Sequence, residues 1–135
     1  MGVADIPLLG QIKGRLGWLD ERQRVIAENV ANADTPGFVG RDLKQPTDFA
    51  AALRSGGGLP MARTNKAHLS SPVSPPRFDP TKSPDSETTL DGNSVVVEEQ
   101  MLKMAESRMA YDAAIGFYQK SMSMIRMAAR KPGSA

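Results

Sequence analysis

Cysteine is absent from this 135-residue chain, and histidine occurs once, at His68. No disulfide, thiolate nucleophile or sulfur-ligated metal site is therefore available. A single histidine without a second ligand nearby is more often a surface or packing residue than a catalyst or metal ligand. Ser70 and Ser71 follow it closely, but serine alone does not make a catalytic triad. We therefore expect no enzyme activity, no catalytic or metal site and no cofactor.

Long apolar runs are missing as well. No segment approaches the ~20 consecutive apolar residues that span a bilayer, and the first residues, interrupted by Asp5, do not resemble a cleavable signal peptide. The formal net charge is only +2. The basic residues of the chain are spread along it, whereas most nucleic-acid-binding proteins concentrate them on one face or segment. We expect no membrane span, no nucleic-acid partner and no small-molecule substrate.

Aromatic residues make up only 5% of the chain, while methionine occurs eight times. Thick globular cores usually depend on aromatic side chains for buried area. Methionine adapts to irregular contacts, including those between subunits. This composition favours helices that pack along seams over a large single core.

Two segments carry the spacing of such helices. In the first, seven of eight positions at alternating steps of three and four are apolar: Leu9, Ile12, Leu16, Leu19, Gln23, Ile26, Val30 and Ala33. Pro7 suits a first helical turn, and the helix is expected to end at about Asp34. Three glycines, Gly10, Gly14 and Gly17, weaken its first half and are interpreted as places of close helix approach or of flexibility.

The second segment lies at the other end of the chain and is longer. Its apolar positions, with Arg108 as the charged exception, are Val97, Met101, Met104, Tyr111, Ile115, Tyr118, Met122, Ile125 and Ala129. Asp91, Asn93 and Ser94 are candidate caps, and a helix of this extent is roughly 50–55 Å long. Arg108 is interpreted either as a snorkelling side chain or as half of an ion pair between subunits.

Residues 44–92 separate the two helices and hold seven of the ten prolines and a triple glycine. A short helix after Thr47 is possible, but the remainder cannot form a packed core of its own. We therefore predict an all-α fold of two long terminal helices, pairing as a coiled-coil-like hairpin and joined by a largely irregular arm. The predicted divisions are 1–43, 44–92 and 93–135.

Further apolar residues lie off the seam of the second helix: Leu102, Met109, Phe117, Met124 and Met127. A two-helix hairpin buries too little surface to offset the entropy of ordering the chain. The chain is therefore predicted to be a subunit whose missing contacts come from other chains.

The segment ENVANADTPGFVGRDL, residues 28–43, ends the first helix. Pro36 disfavours a helical Thr35, and Thr-Pro-Gly-Phe fits a type II turn with Gly37 at the position of positive φ. Asn29 and Asn32 lie about one turn apart, where their amides would either cap freed carbonyls or reach a neighbouring chain.

This segment resembles the N-terminal signature of the flagellar rod, hook and hook-filament junction proteins, Asn-Ile-Ala-Asn-x-x-Thr-Pro-Gly-Tyr. Val30 and Phe38 are conservative departures from it. The matching residues are Asn29, Ala31, Asn32, Thr35, Pro36 and Gly37. GRDL at 40–43, RTNKAHL at 63–69 and the segment that begins DGNSVVVEEQ at 91–100 are similar to one short proximal rod protein of that family. A second short proximal rod protein is the close alternative.

The resemblance implies a structural subunit of the flagellar basal body that polymerises through its terminal helices. It implies export by the flagellar type III apparatus, a periplasmic location, and a shaft that transmits torque and encloses the export channel. The implied partners are further copies of the chain, other rod proteins, the membrane-ring or rod adaptor, and export-gate proteins. A coiled-coil adapter or export chaperone is the alternative from a different class, and a wall hydrolase is a third.

Overall fold

The computed structural model describes residues 7–45 and 78–130. They form, in chain order, α1 (Pro7–Ala31), β1 (Arg41–Asp42), β2 (Thr81–Lys82) and α2 (Val97–Ala129). The helices have 25 and 33 residues, which corresponds to roughly 37 and 50 Å. The predicted short helix after Thr47, and His68 with its neighbours, lie outside the described residues.

The two helices pack against each other in opposite directions. Near the C-terminal end of α1, Asn29 bonds to Gln100 in the first turn of α2, whereas Trp18, further back on α1, lies in the cluster against which Tyr111 packs. The predicted all-α hairpin of two long helices is therefore confirmed. Within the described ranges, neither helix has a stretch long and apolar enough to cross a bilayer.

A small core lies between α1, α2 and the segment after β1. Trp18, Leu19, Val25 and Leu43 are buried together, and Phe78, Ala110 and Tyr111 pack against them. The Trp18 indole donates to the Lys44 carbonyl at 3.1 Å, so its one polar atom is satisfied.

Two arginines lie on the Trp18 ring. The Arg15 guanidinium is 4.6 Å from the ring centroid and that of Arg22 is 5.5 Å away. Burial, and secondarily the nearby Arg22, lowers the pKa of Arg15. Arg22 also forms a two-bond ion pair with Asp42, with both nitrogen–oxygen distances 3.0 Å. This fork fixes β1 against α1.

The second part of the predicted arm is attached to the core. β1 and β2 pair antiparallel, with Arg41 opposite Lys82 and Asp42 opposite Thr81, and the Ser83 N–H donates to the Gly40 carbonyl at 2.8 Å. A Cβ at residue 40 would lie 3.1 Å from the Ser83 carbonyl oxygen, so the backbones meet where only glycine fits without displacement.

One local prediction was wrong, and one of the interpretations of the glycines is excluded. The first helix ends at Ala31 instead of about Asp34, because the Ala33 N–H bonds three residues back to Val30 and the Thr35 N–H to Asn32. Close approach also does not explain Gly10 or Gly17, since an added Cβ at either would have no heavy atom within 4 Å.

Candidate functional site

The signature segment forms the predicted turn. The Phe38 N–H donates to the Thr35 carbonyl at 3.2 Å, and Gly37, at the third position, has φ of 72°. Glycine adopts this left-handed conformation without the steric cost of a Cβ. The turn reverses the chain directly after α1, so that residues 38–43 run back alongside the helix.

Asn29 holds that returning segment. Its side chain is 1% exposed; Nδ2 donates to the Arg41 carbonyl at 2.6 Å and Oδ1 accepts the Arg41 N–H at 3.0 Å. The amide therefore bonds both backbone groups of one residue, as a neighbouring strand would. Nδ2 also donates to Gln100 Oε1 at 2.9 Å, which joins the end of α1 to the start of α2.

The bond to Gln100 continues into a buried carboxylate. Gln100, which is 0% exposed, donates from Nε2 to both oxygens of Asp85 at 3.0 and 2.8 Å. The same carboxylate accepts the Lys103 ammonium and the Val96 N–H, each at 2.8 Å. Burial of Asp85 raises its pKa, but the hydrogen bonds from Lys103, Gln100 and Val96 outweigh this and lower the pKa below the ordinary value.

The observed cap of α2 differs from the predicted one, and Asp85 accounts for the difference. The N-cap residue of α2 is Val96, whose own side chain makes no capping bond, and its N–H is satisfied by Asp85, eleven residues earlier. Asn93 Oδ1 instead accepts the Val95 N–H at 2.9 Å. Glu98 and Glu99 lie in the first turn of α2, where they complement the helix dipole.

The segment before α2 also closes over the signature turn. Asn93 Nδ2 donates to the carbonyls of Asn32 and Thr35 at 2.9 and 2.7 Å, and the Gly37 N–H donates to the Asp91 carbonyl at 2.9 Å. Gly92 has φ of 84°, and a Cβ there would lie 3.4 Å from the Gly37 Cα. The Asn32 and Thr35 carbonyls, just beyond the end of α1, are thus bonded by a residue 61 and 58 positions later in the chain.

We call this hydrogen-bonded set the polar lock. It consists of the Arg41 backbone and of side chains from both halves of the described structure: Asn29, Asp85, Asn93, Gln100 and Lys103. It includes one partly buried ion pair, Lys103 with Asp85, and its side chains bond to other segments of the same chain. Its chemistry is structural.

The two helices present different surfaces to solvent. Exposed positions of α1 are mostly polar or small, such as Lys13, Asp20 and Arg24. On α2, by contrast, a row of large apolar side chains is exposed. The exposed fractions are 63% for Leu102, 69% for Met109, 54% for Phe117, 49% for Met124 and 62% for Met127. A row of this kind on one helix of a small protein is typical of an interaction surface.

Comparison with known proteins assigns the chain to a family. The family model described as "Flagella basal body rod protein" matches residues 15–38, which comprise most of α1 and the signature turn. The flagellar basal body rod protein FlgB of Proteus mirabilis is 34% identical over 109 residues, covering 73% of this chain and 75% of that protein. The FlgB of Agrobacterium fabrum is 32% identical over 118 residues, or 84% and 86% of the two chains. The FlgB of Yersinia enterocolitica is 32% identical over 100 residues, or 67% and 70%.

The chain belongs to the flagellar basal body rod protein family, as a FlgB member. The predicted resemblance is confirmed, and within the family FlgB is favoured over the second short proximal rod protein.

In this FlgB-family chain the matched signature residues occupy different environments. Asn29 is buried, whereas Asn32 and Phe38 are half-buried. Asn32 accepts from the Thr35 hydroxyl and donates to the Glu28 carbonyl. Exposed positions of the signature are Ala31, Thr35, Pro36 and Gly37. The two interpretations of the asparagines are that they cap freed carbonyls or that they reach a neighbouring chain. Asn32 caps a carbonyl of α1, whereas Asn29 bonds to Arg41 and Gln100 of its own chain.

The predicted packing residues of α1 mostly face α2 and the core. Leu9, Ile12, Leu19 and Ile26 are buried, Leu16 is half-buried, and Val30 is 36% exposed. Their predicted part in assembly stays a prediction, and for the four buried residues a contact with another chain would require the hairpin to open.

The predicted seam of α2 is less covered than that of α1. Met101 is exposed, and the half-buried members are Val97, Met104, Tyr111, Ile115, Tyr118, Met122 and Ile125. The fully buried residues of α2 are Gln100, Ser107 and Ser121. Arg108 lies off the buried side, with its side chain 72% exposed and 3.9 Å from Asp112.

Sequence reasoning missed the polar half of the helix interface. The residues concerned are polar: Asp85, Gln100, Ser107 and Ser121. A search for apolar periodicity therefore does not detect them. One signal was present: Gln100, Ser107, Ala114 and Ser121 recur every seven residues, which places small or amide side chains on one line of the helix.

Proposed function

We propose that this chain is a structural subunit of the proximal rod of the bacterial flagellum, and that it assembles through the exposed apolar row of α2. The rod is a shaft that transmits torque and encloses the channel for later subunits. The subunit performs no catalysis; it acts by being held rigidly among its neighbours.

The observation that carries this proposal is the combination of family membership with the unequal surfaces of the two helices. The polar lock and the small core occupy the inner side of the hairpin, while Leu102, Met109 and Phe117 on α2 are more than half exposed. Burying such side chains contributes about 1.5–3 kcal/mol each, and neighbouring subunits supply the surface that the hairpin lacks.

The partners and location follow from the same function. Further copies of the chain, other rod proteins, the membrane-ring or rod adaptor and export-gate proteins are the proposed neighbours. The chain is proposed to reach the periplasm through the flagellar type III apparatus. The absence of cysteine is compatible with that oxidising compartment.

Complementation of a deletion strain tests this function. In the source bacterium lacking its own copy, the wild-type chain should restore swimming and Met109→Asp should not, because a carboxylate would be buried without a partner at the subunit contact. Gln119→Asp changes another exposed position of α2 and is the matched control, expected to swim normally. Because Met109 is 69% exposed in the free chain, both variants should retain wild-type helix content.

A swimming deletion strain would reject the rod function itself. Normal swimming with Met109→Asp would reject the α2 row as the assembly surface while leaving family membership untouched.

A further inference from the structure

Ala113 lies at the centre of a symmetric set of seven exposed residues on α2. The other six lie four, seven and eleven residues before and after it, and the two residues at each distance have complementary chemistry. The pairs are Met109 with Phe117, Glu106 with Lys120, and Leu102 with Met124. We call these seven residues the palindromic stripe.

The stripe is continuous on the helix surface. At 100° per residue, its members fall within about 80° of one another around the helix axis, and all seven are exposed. The buried residues Ser107 and Ser121, which face the rest of the fold, lie on a different side of α2. The stripe is therefore available while the hairpin is intact.

We propose that in the free protein α2 pairs with α2 of a second copy in antiparallel orientation, with the two-fold axis at Ala113. In that arrangement Leu102 lies opposite Met124 of the second copy, and Met109 lies opposite Phe117. Each contact occurs twice because the interface is self-complementary. The smallest side chain of the stripe lies at the crossing point, where the two helices come closest.

The charges select this orientation over the parallel one. Antiparallel pairing places Glu106 of each copy opposite Lys120 of the other, so two opposite-charge contacts form. Parallel pairing in register would place Glu106 against Glu106 and Lys120 against Lys120, which is unfavourable. Beyond the stripe, exposed Glu98 near one end of α2 and Arg126 near the other reinforce the same preference.

The spacing also suits straight helices. Leu102, Ala113 and Met124 are separated by eleven residues, a repeat of 3.67 residues per turn that stays close to the 3.6 of an unstrained helix. The paired region extends over about 33 Å. Two helices therefore keep the stripe in contact along this length without strong supercoiling.

Such a dimer is closed, whereas a rod must be open-ended. A two-fold contact uses the stripe of both copies and leaves none for a third, while growth of a shaft requires head-to-tail contacts. Where the chain acts as a rod subunit, as proposed above, the dimer is a pre-assembly form that protects the apolar row and must dissociate before incorporation. The dimer itself does not depend on that function.

Cysteine cross-linking of the full-length chain tests the register, because the natural chain has no cysteine. Under mild oxidation Ala113→Cys should form a disulfide-linked dimer. Leu102→Cys and Met124→Cys should cross-link when mixed and not when oxidised separately. Gln119→Cys, exposed on another side of α2, is the control and should stay monomeric on denaturing gels. Cross-linking of Leu102→Cys with itself, or failure of Ala113→Cys, would overturn the proposal.

Charge reversal tests the orientation by sedimentation velocity. Glu106→Lys or Lys120→Glu alone should weaken the dimer by about tenfold, because each turns two attractive contacts into repulsive ones. The double variant Glu106→Lys/Lys120→Glu should restore wild-type affinity. Equal affinity of all four proteins would reject the pairing.

Another occupant of the stripe would give different results. The dimer would be overturned if the wild-type chain remained monomeric at several hundred micromolar and if the cysteine of Ala113→Cys reacted slowly with maleimide. Those two results together would show that the chain covers its own stripe. That result would leave the rod function standing, whereas a swimming deletion strain would reject the rod function and leave the dimer.

Discussion

Replacing Asn29 with alanine should destabilise the fold more than any other single change in the signature. The side chain is 1% exposed and makes three hydrogen bonds, two to the Arg41 backbone and one to Gln100. Alanine would leave the Arg41 N–H and carbonyl, which are partly buried, and the buried Gln100 Oε1 without these partners. With about 1 kcal/mol for each net hydrogen bond and a further desolvation cost for groups that water cannot reach, the expected loss is about 2–4 kcal/mol.

Asn32→Ala is the matched control. Asn32 is half-buried, and its amide donates to one carbonyl of its own helix, that of Glu28. Water can replace that bond, so the expected loss is about 0.5–1 kcal/mol. The two variants delete the same chemical group three residues apart, which separates the effect of the lock from that of the amino-acid type.

Urea unfolding measures the difference with two probes. Circular dichroism at 222 nm follows both helices, and fluorescence follows Trp18, the single tryptophan, which is buried beside the segment that Asn29 holds. All variants should be compared at one protein concentration, because self-association changes apparent stability. Equal losses for Asn29→Ala and Asn32→Ala, or a loss below about 0.5 kcal/mol for Asn29→Ala, would refute the lock as a major source of stability.

Three further changes have expected outcomes that the same unfolding assay checks. Ser107→Ala should be neutral or stabilising by up to about 1 kcal/mol, because the buried Ser107 hydroxyl has no hydrogen-bond partner in the described ranges and alanine favours helix; a loss above 1 kcal/mol would show that the hydroxyl is satisfied. Gly17→Ala should stabilise by up to about 1 kcal/mol, since an added Cβ there meets no atom within 4 Å; destabilisation would reveal a contact at that position. The lowered pKa of Asp85 favours its ionised form, so the carboxylate should stabilise the fold above about pH 4 and lose that contribution as the pH falls through its folded-state pKa. Asp85→Asn should therefore cost about 2 kcal/mol at pH 7 and make stability less dependent on pH on the acid side. An unchanged pH dependence there would contradict the assigned role.

The helices and the signature turn were predictable because their signals are local. Apolar residues at helical spacing identify α1 and α2, and a proline followed by glycine defines a turn through steric limits on φ. The position of Ile26 on the packing side of α1 follows from the same spacing. These features depend on residues close together in the chain, so one sequence is enough to find them.

The polar lock was not predictable for the opposite reason. The bond between Asn29 and Gln100 joins residues 71 positions apart, and neither residue type has a preferred long-range partner. Asp85 lies in a segment whose composition predicts irregular structure, yet it accepts the N–H of Val96, the N-cap residue of α2. Burial of a polar group is decided by the presence of partners, and partners brought together by the fold leave no periodic pattern in the sequence.

The two-residue ladder has a consequence for how the chain tolerates change in length. Arg41 lies opposite Lys82, so the chain departs from the helical core and rejoins it at adjacent points. Once those points are fixed, each doubling of the number of residues between them costs only about 0.6 kcal/mol of closure entropy. The ladder thus makes the position between the two strands an insertion site, where segments of different length can be exchanged while α1, α2 and the lock keep their register.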